Sequence, residues 1–177
     1  NMQIGGALIA GQIPSFDGQG GRDTLDYAAY ITSINVNLSL GIATAINGAA
    51  ADSVINVENV IGGSANDTLT GDQGNNVLTG GPGNDLLTGL SGDDTYVFAN
   101  SAGTDTVVEI ANDGTDTYDF SPAMAGVTFN VNTGNLIVSG SGTSVTHNAK
   151  NIENLIGSQG ADNFVFADTA IQNGTID

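Results

Sequence analysis

Gly62, Gly71, Gly80 and Gly89 stand nine residues apart, and each opens a block of the same design. Four units in one register confine the chain to a repeating architecture, because a unit this short cannot bury a core alone and must stack on its neighbours. The blocks read GGSANDTLT (62–70), GDQGNNVLT (71–79), GGPGNDLLT (80–88) and GLSGDDTYV (89–97). Their sixth residues are Asp67, Asn76, Asp85 and Asp94, and their eighth are Leu69, Leu78, Leu87 and Tyr96. Glycines at the first and usually the fourth position allow a sharp six-residue turn with carbonyls directed inward. The last three residues form a short strand whose middle side chain faces one way and whose neighbours face the other. Two blocks, 18 residues, then make one coil with a strand on each side, so Leu69 stacks beneath Leu87 and Leu78 beneath Tyr96. The predicted class is all-β.

A longer repeat surrounds the array. GGRDTLDYA near residue 20 resembles DGTDTYDFS at 113–121, so Asp26-Tyr27 recurs as Asp119-Phe120 at an offset of 93. The same offset relates SINVNLSLG (33–41) to GVTFNVNTG (126–134), while NVENVIGGSANDTL (56–69) resembles NIENLIGSQGADNF (151–164) at an offset of 95. IAGQIPSFDG near the start loosely resembles the final AIQNGTID. The chain reads as a segment of a longer tandem polypeptide, beginning and ending inside a unit.

Composition narrows the function. Nineteen acids face Lys150, Arg22 and one His, giving a net charge of −17 over 177 residues. Two cations cannot neutralise a run of phosphates, which disfavours nucleic acid and anionic membranes as partners. With 12% charged and 40% hydrophobic residues, the chain is nonetheless built to fold rather than to remain a disordered acidic tail. Among the acids only Glu58, Glu109 and Glu153 are Glu; the rest are Asp, which turns prefer and helices avoid. No apolar stretch reaches the roughly 20 residues of a membrane helix, so no membrane insertion is expected. The opening NMQIGGALIAG lacks the charged start of a secretory signal. Without Cys there is neither a disulfide nor a thiolate metal site.

Stacking at an 18-residue pitch brings Asp67 close to Asp85 and Asn76 close to Asp94. Uncompensated, these carboxylates would push the coils apart. Carbonyls and carboxylates converging without His or Cys make a hard, all-oxygen site suited to Ca²⁺, whose coordination is flexible; Mg²⁺ demands strict octahedral geometry and keeps its water.

These blocks resemble the RTX nonapeptide-repeat family, whose pattern is GGxGxDxUx with U a large apolar residue. GGPGNDLLT matches every specified position and GLSGDDTYV all but the second glycine; GGSANDTLT has Ala65 at position four, and GDQGNNVLT has Asn76 for Asp. The resemblance implies a Ca²⁺-bound parallel β-roll, a right-handed β-solenoid flanked by β-rich coils, with several Ca²⁺ ions between successive loops. By position, Asp67 and Asp85 become side-chain ligands along one edge, and Asp94, next to Asp93, along the other. Carbonyls would come from Gly62, Ser64, Asn66, Gly80, Pro82 and Asn84, and Asn76 would supply a neutral oxygen. Degenerate copies, GQGGRDTLD (18–26) and GSQGADNFV (157–165), add Asp23 and Asp162, and the shortened turns of GTDTVV and GTDTYD add Asp105 and Asp116. Glu58 and Glu153 each lie nine residues before a position-six Asp. The expected organisation is a flanking unit (1–61), the core array (62–97), a second flanking unit (98–156) and the start of a further coil (157–177). Export in the unfolded state from a Gram-negative-type bacterium and folding outside the cell are also implied by the resemblance.

Other readings compete at particular residues. For Asp23, Asp105, Asp116 and Asp162, turn or strand capping stands beside metal binding. His147, in the polar SVTHNAKN, has no second His with which to share a metal and reads as a surface residue. The pairs Asp93-Asp94 and Asp116-Asp119 could be glycosidase carboxylates, but acid–base work needs one carboxyl held neutral in an apolar cleft with aromatics for the sugar, and there is no Trp. The chain is therefore not expected to be an enzyme. Outward Thr68, Thr70, Thr79, Thr88 and Thr95 suggest an ice- or polysaccharide-binding face, interrupted by Val77, Leu86 and Val97. Tyr27, Phe120, Phe129, Phe164 and Phe166 read as core of the flanking sheet. The expected role is a structural module, folded by extracellular Ca²⁺, within a larger secreted or cell-surface polypeptide. The alternatives are a rigidified adhesion module for a surface glycan, ice or a neighbouring cell, and the non-catalytic part of a secreted hydrolase.

Overall fold

The computed structural model describes residues 2–3, 15–45, 49–50, 53–110, 113–131, 136–140, 142–147, 152–166 and 175–176. Among them there are only strands and turns. The first flank holds β1 (Met2–Gln3), β2 (Phe16–Asp17), β3 (Thr24–Asp26), β4 (Ile34–Asn37), β5 (Ile42–Ala45), β6 (Ala49–Ala50), β7 (Val54–Ile55) and β8 (Asn59–Ile61). The four blocks supply β9 (Thr68–Thr70), β10 (Val77–Thr79), β11 (Leu86–Thr88) and β12 (Thr95–Val97). Beyond them lie β13 (Gly103–Val108), β14 (Thr117–Asp119), β15 (Val127–Val131), β16 (Leu136–Gly140), β17 (Thr143–His147), β18 (Asn154–Ile156), β19 (Asn163–Phe166) and β20 (Thr175–Ile176).

Successive strands of the array alternate between two walls. One is an eight-stranded sheet in the order β1-β3-β8-β10-β12-β14-β18-β20, parallel at every pairing. The other has ten strands in the order β19-β15-β16-β17-β13-β11-β9-β4-β5-β6. A strand on one wall, a turn, a strand on the other and a turn back is the β-roll that the nine-residue period predicts. Leu69 pairs in register with Leu87, and Leu78 with Tyr96.

Period-two alternation decides what is inside. In β9, β10 and β12 the middle residue is buried between two partly buried neighbours, and Leu69, Leu78, Leu87 and Tyr96 are all 0% exposed. The second half fills the same space with rings: Tyr96 meets Tyr118 edge-on at 5.8 Å, Phe98 stacks on Phe120 at 4.9 Å, and Phe129 stacks on Phe164 at 4.6 Å. Such pairs add about 0.5–1.5 kcal/mol each beyond burial.

The second wall departs from a simple coil. Antiparallel meanders, β4-β5-β6 and β15-β16-β17, are spliced into it. The outer strand β17 pairs in parallel with β13 of the preceding coil, and β15 pairs with β19 of the following one. The long repeat is thus a repeat of structure. The Tyr27 N–H donates to Ile61 O as that of Phe120 does to Ile156 O, and Asn59 N–H donates to Asp23 O as Asn154 N–H does to Asp116 O.

Of the five flanking aromatics, Tyr27, Phe120 and Phe129 are buried and Phe164 packs against the core. Phe166 is a correction to the expected core: it is 43% exposed, because β19 is the edge of its sheet and no described strand covers it. The side chain of His147, most of IAGQIPSFDG and most of AIQNGTID lie outside the described residues.

Candidate metal centre

Each position-six side chain turns into its loop rather than outward. Asp67, Asn76, Asp85 and Asp94 are 1–2% exposed, and so are Asp105 and Asp116 in the next coils. Burial of this kind requires donors, and the backbone of the preceding coil supplies them. On one edge Ile34 N–H donates to Asp67 Oδ1 (2.9 Å), Asp67 N–H to Asp85 Oδ1 (2.7 Å) and Asp85 N–H to Asp105 Oδ1 (2.9 Å). On the other, Asp23 N–H donates to Glu58 Oε2 (2.8 Å), Asn76 N–H to Asp94 Oδ1 (2.7 Å), Asp94 N–H to Asp116 Oδ1 (2.9 Å) and Asp116 N–H to Glu153 Oε2 (2.9 Å). The carboxylate ladder on the first edge is continuous from Ile34 to Asp105, whereas the one on the other edge is interrupted between Glu58 and Asn76, whose oxygen accepts from Asp72 N–H of its own block.

A second, exposed ladder runs in the opposite sense through position five. Asn84 N–H donates to Asn66 Oδ1 and Thr104 N–H to Asn84 Oδ1, both at 2.9 Å. Across the roll, Asp93 N–H donates to Asn75 Oδ1 (3.0 Å) and Thr115 N–H to Asp93 Oδ1 (2.9 Å). The side chains of Asn66, Asn84 and Asp93 therefore join coils.

The position-one glycines are a condition of this packing. A Cβ on Gly80 would strike the carboxylate of Asp85, and one on Gly62 would strike Gly80 O and Asp67 Oδ2. Gly80 O and Asp67 Oδ2 accordingly both close on Gly62.

Carboxylate oxygens are left over on both edges. Asp85 Oδ2 and Asp94 Oδ2 are buried with no hydrogen-bond partner, and so is Asp23 Oδ2 at the head of the second edge. The carboxyl of Asp85 is pushed up to about 6 by burial, which with the charge of Asp67 outweighs the N–H bond. Burial pushes Asp94 to about 7, Asp105 to about 7 and Asp116 to about 6, with neighbouring carboxylates adding to each. A buried carboxylate oxygen without a donor is expensive, by several kcal/mol when charged. Arg22, the one Arg in the chain, donates instead to Asn75 O (3.0 Å). What the donor set fits is a hard cation: oxygen ligands only, negative and enclosed.

Residues 61–96 match the RTX calcium-binding nonapeptide repeat in four copies. Among curated proteins none matches the chain. The matched array begins at the end of β8 and finishes within β12.

Around the RTX array the remaining candidates separate by what their oxygens do. Both oxygens of Asp67 accept N–H groups, from Ile34 and from Gly63. Asp162 is likewise engaged by Val127 N–H (2.8 Å) and by Ser158 N–H and O–H. Asn76 accepts from Asp72 N–H (2.8 Å) and donates its amide to Glu58 O (2.9 Å), a bond that no Asp could make. Ser64 N–H and O–H both go to Tyr30 O, tying the first loop to the flank. Pro82 lies with Gly80, Gly81, Asn100 and Asp105 around a cleft between the second and third loops of that edge.

On the outer faces no rank is all threonine. The registers read Thr68–Leu86–Thr106 and Thr70–Thr88–Val108 on one wall, and Val77–Thr95–Thr117 and Thr79–Val97–Asp119 on the other.

Sequence reasoning missed Glu109 as a site residue. It lies one place beyond the Thr88–Val108 register pair, and so opposite Gly89, where the array has glycine. Its carboxyl accepts the Tyr96 hydroxyl. The available signal was Tyr96 itself, the one U-position residue of the four that carries a polar atom.

Proposed function

We propose that the chain is a structural module of a larger secreted or cell-surface polypeptide whose folding is coupled to extracellular Ca²⁺. The observation that carries this is the pair of buried, donorless oxygens on Asp85 and Asp94, one on each edge of the RTX array. Asp67, Asp85, Asp94 and Asn76 are the side-chain ligands we assign, with Asp23 at the head of the second edge. Gly62, Ser64, Asn66, Gly80, Pro82 and Asn84 contribute carbonyls, and Asp93 and Asp162 hold the loops. Bound calcium supplies the positive charge that the chain lacks. The ladders then hold each loop against the next, and a chain of net charge −17 gains a reason to be compact. Because the unfolded chain offers no preformed site, binding free energy becomes folding free energy.

In this reading residues 62–97 are the core, 1–61 and 98–156 are flanking units, and 157–177 open a further coil. The module spaces or stabilises; it performs no chemistry. Interrupted threonine ranks give an ice or glycan face no support beyond ordinary strand preference. Among the described residues no helix is long and apolar enough to cross a membrane. The repeat type favours a secreted bacterial protein.

Small-angle scattering with and without Ca²⁺ tests the coupling. Stripped of metal at neutral pH, the chain should approach the roughly 45 Å radius of gyration of an unfolded polymer of this length, and added Ca²⁺ should collapse it. One compact radius under both conditions would remove the coupling.

A further inference from the structure

Where the RTX array ends, its last loop faces residues that the nonapeptide pattern does not contain. Asp94 stands just before β12, Glu109 just after β13 and Asp116 just before β14. One carboxylate oxygen from each lies within 4.8 Å of the others. Three carboxylates at this spacing repel unless a cation lies among them or protons neutralise them.

Two further observations concern where these groups point. Asp94 is 1% exposed, its Oδ1 takes the Asn76 N–H, and its Oδ2 is buried with no partner. The space above Gly89, where any other residue would carry a Cβ, is bounded by Asp94 Oδ2, Tyr96 Oη and Glu109 Oε1. Asp94 Oδ2, Tyr96 Oη and Glu109 Oε1 thus close on the backbone of Gly89, which brings the unpartnered oxygen of Asp94 beside the carboxylate that Glu109 sends in from the next coil. Tyr96 donates its hydroxyl to Glu109 and so fixes the carboxylate there.

We propose that Asp94, Glu109 and Asp116 form a Ca²⁺ site that closes the array at its C-terminal end, with Glu109 supplying a charged ligand from outside the repeat. The site differs from those within the array in drawing a third carboxylate, Glu109, from outside the repeat. More charge and a tyrosine-braced ligand should make it bind more tightly than its neighbours. This inference rests on the reading of the array as calcium-loaded.

The test counts bound Ca²⁺ in the whole chain by equilibrium dialysis, for the native protein and for Glu109→Gln, with circular dichroism at saturating Ca²⁺ to report folding. Glu109→Gln should lose one tight ion, or bind it at least about tenfold more weakly, while the other ions remain. A second measurement uses Tb³⁺, an oxygen-seeking stand-in for Ca²⁺ that glows when excited through a nearby tyrosine. Glu109→Gln keeps both Tyr96 and Tyr118, whose rings lie 5.8 Å apart beside the site, so losing its ion should lower the tyrosine-sensitised emission. An unchanged count and affinity in Glu109→Gln, or undiminished Tb³⁺ emission in that variant, overturns the site. No Ca²⁺ bound by the native chain would overturn the reading of the array as well.

Discussion

The backbone N–H of Asp67 donates to the carboxylate of Asp85, 18 residues and one coil later, at 2.7 Å. This bond spends one oxygen of Asp85 on holding the coils together and leaves the other, Oδ2, buried without a donor. One side chain therefore does two jobs, and substitution can separate them. Asp85→Asn keeps an acceptor for Asp67 N–H but removes the charge. It should fold at saturating Ca²⁺ with an affinity lower by about tenfold or more at the sites it borders, whereas Asp85→Ala should lose both functions. Calorimetric Ca²⁺ titration of the two variants distinguishes them; equal behaviour would mean that the ladder bond contributes nothing.

Asn76 tests the same logic in reverse. Its amide donates to Glu58 O and its oxygen accepts Asp72 N–H. Asn76→Asp loses the first bond and adds a charge on the edge that holds Asp94. The variant should be less stable than the native chain without metal and bind Ca²⁺ more tightly. Urea unfolding with and without Ca²⁺ measures both effects, and a variant weakened under both conditions would argue against a metal on that edge.

Protonation should mimic the cation. Asp85 and Asp116 titrate near 6, Asp94 and Asp105 near 7, and Glu109 near 8 in the metal-free fold, all raised chiefly by burial. A carboxyl raised on folding binds protons more tightly in the native state, so it favours the metal-free fold fully below about pH 4 and progressively less as pH rises to about 8. Metal-free protein should thus show more β structure at pH 5 than at pH 8, as read by circular dichroism after chelating-resin treatment. Ca²⁺ affinity should move the other way, since binding must displace those protons. A metal-free fold more stable at pH 8 would contradict the burial of these groups.

Packing gives two further expectations. Leu78 lies in register between Val60 and Tyr96 and is 0% exposed, so Leu78→Ala should cost about 2–5 kcal/mol in Ca²⁺-saturated protein, against about 0.5 kcal/mol or less for Thr79→Ala on the outer face. Gly81 has φ +96°, and a Cβ there would strike Gly63 O, so Gly81→Ala should cost about 2 kcal/mol or more. Denaturant midpoints check both, and a neutral Gly81→Ala would mean that the loop relaxes freely.

The roll was legible because the nonapeptide states it directly; the ladders were not, because Asp67 and Asp85 read only as stacked carboxylates in need of a cation, and the N–H bond between them shows only in the folded register. Gly at position one lets the loop close, Asp at six turns inward and Leu at eight fills the core, and nine-residue spacing fixes which coil each meets. The meanders were not legible from period alone. INVN and IATA alternate as any strand does, and only the Asn37 side chain accepting Leu40 N–H, with Gly41 at φ +65°, marks the reversal. Position five was read for its carbonyls, yet Asn66 and Asn84 also use their side chains between coils, because a short amide can reach the next loop's N–H. Glu109 was missed because it obeys no repeat: it becomes a neighbour of Asp94 only through the Thr88–Val108 register. Phe166 was misread because an aromatic at a buried phase still needs a further coil to cover it.

The central claim is that cation binding and folding are one event. Adding Ca²⁺ to metal-stripped protein while recording far-ultraviolet circular dichroism and heat together, with Mg²⁺ as control, tests it most directly. A cooperative gain of β signal with several Ca²⁺ bound, absent with Mg²⁺ and blunted in Asp85→Ala, is the result expected. Full β structure before any Ca²⁺ is added at neutral pH, with no heat of binding afterwards, would contradict it and reduce the Gly-Asp loops to ordinary turns.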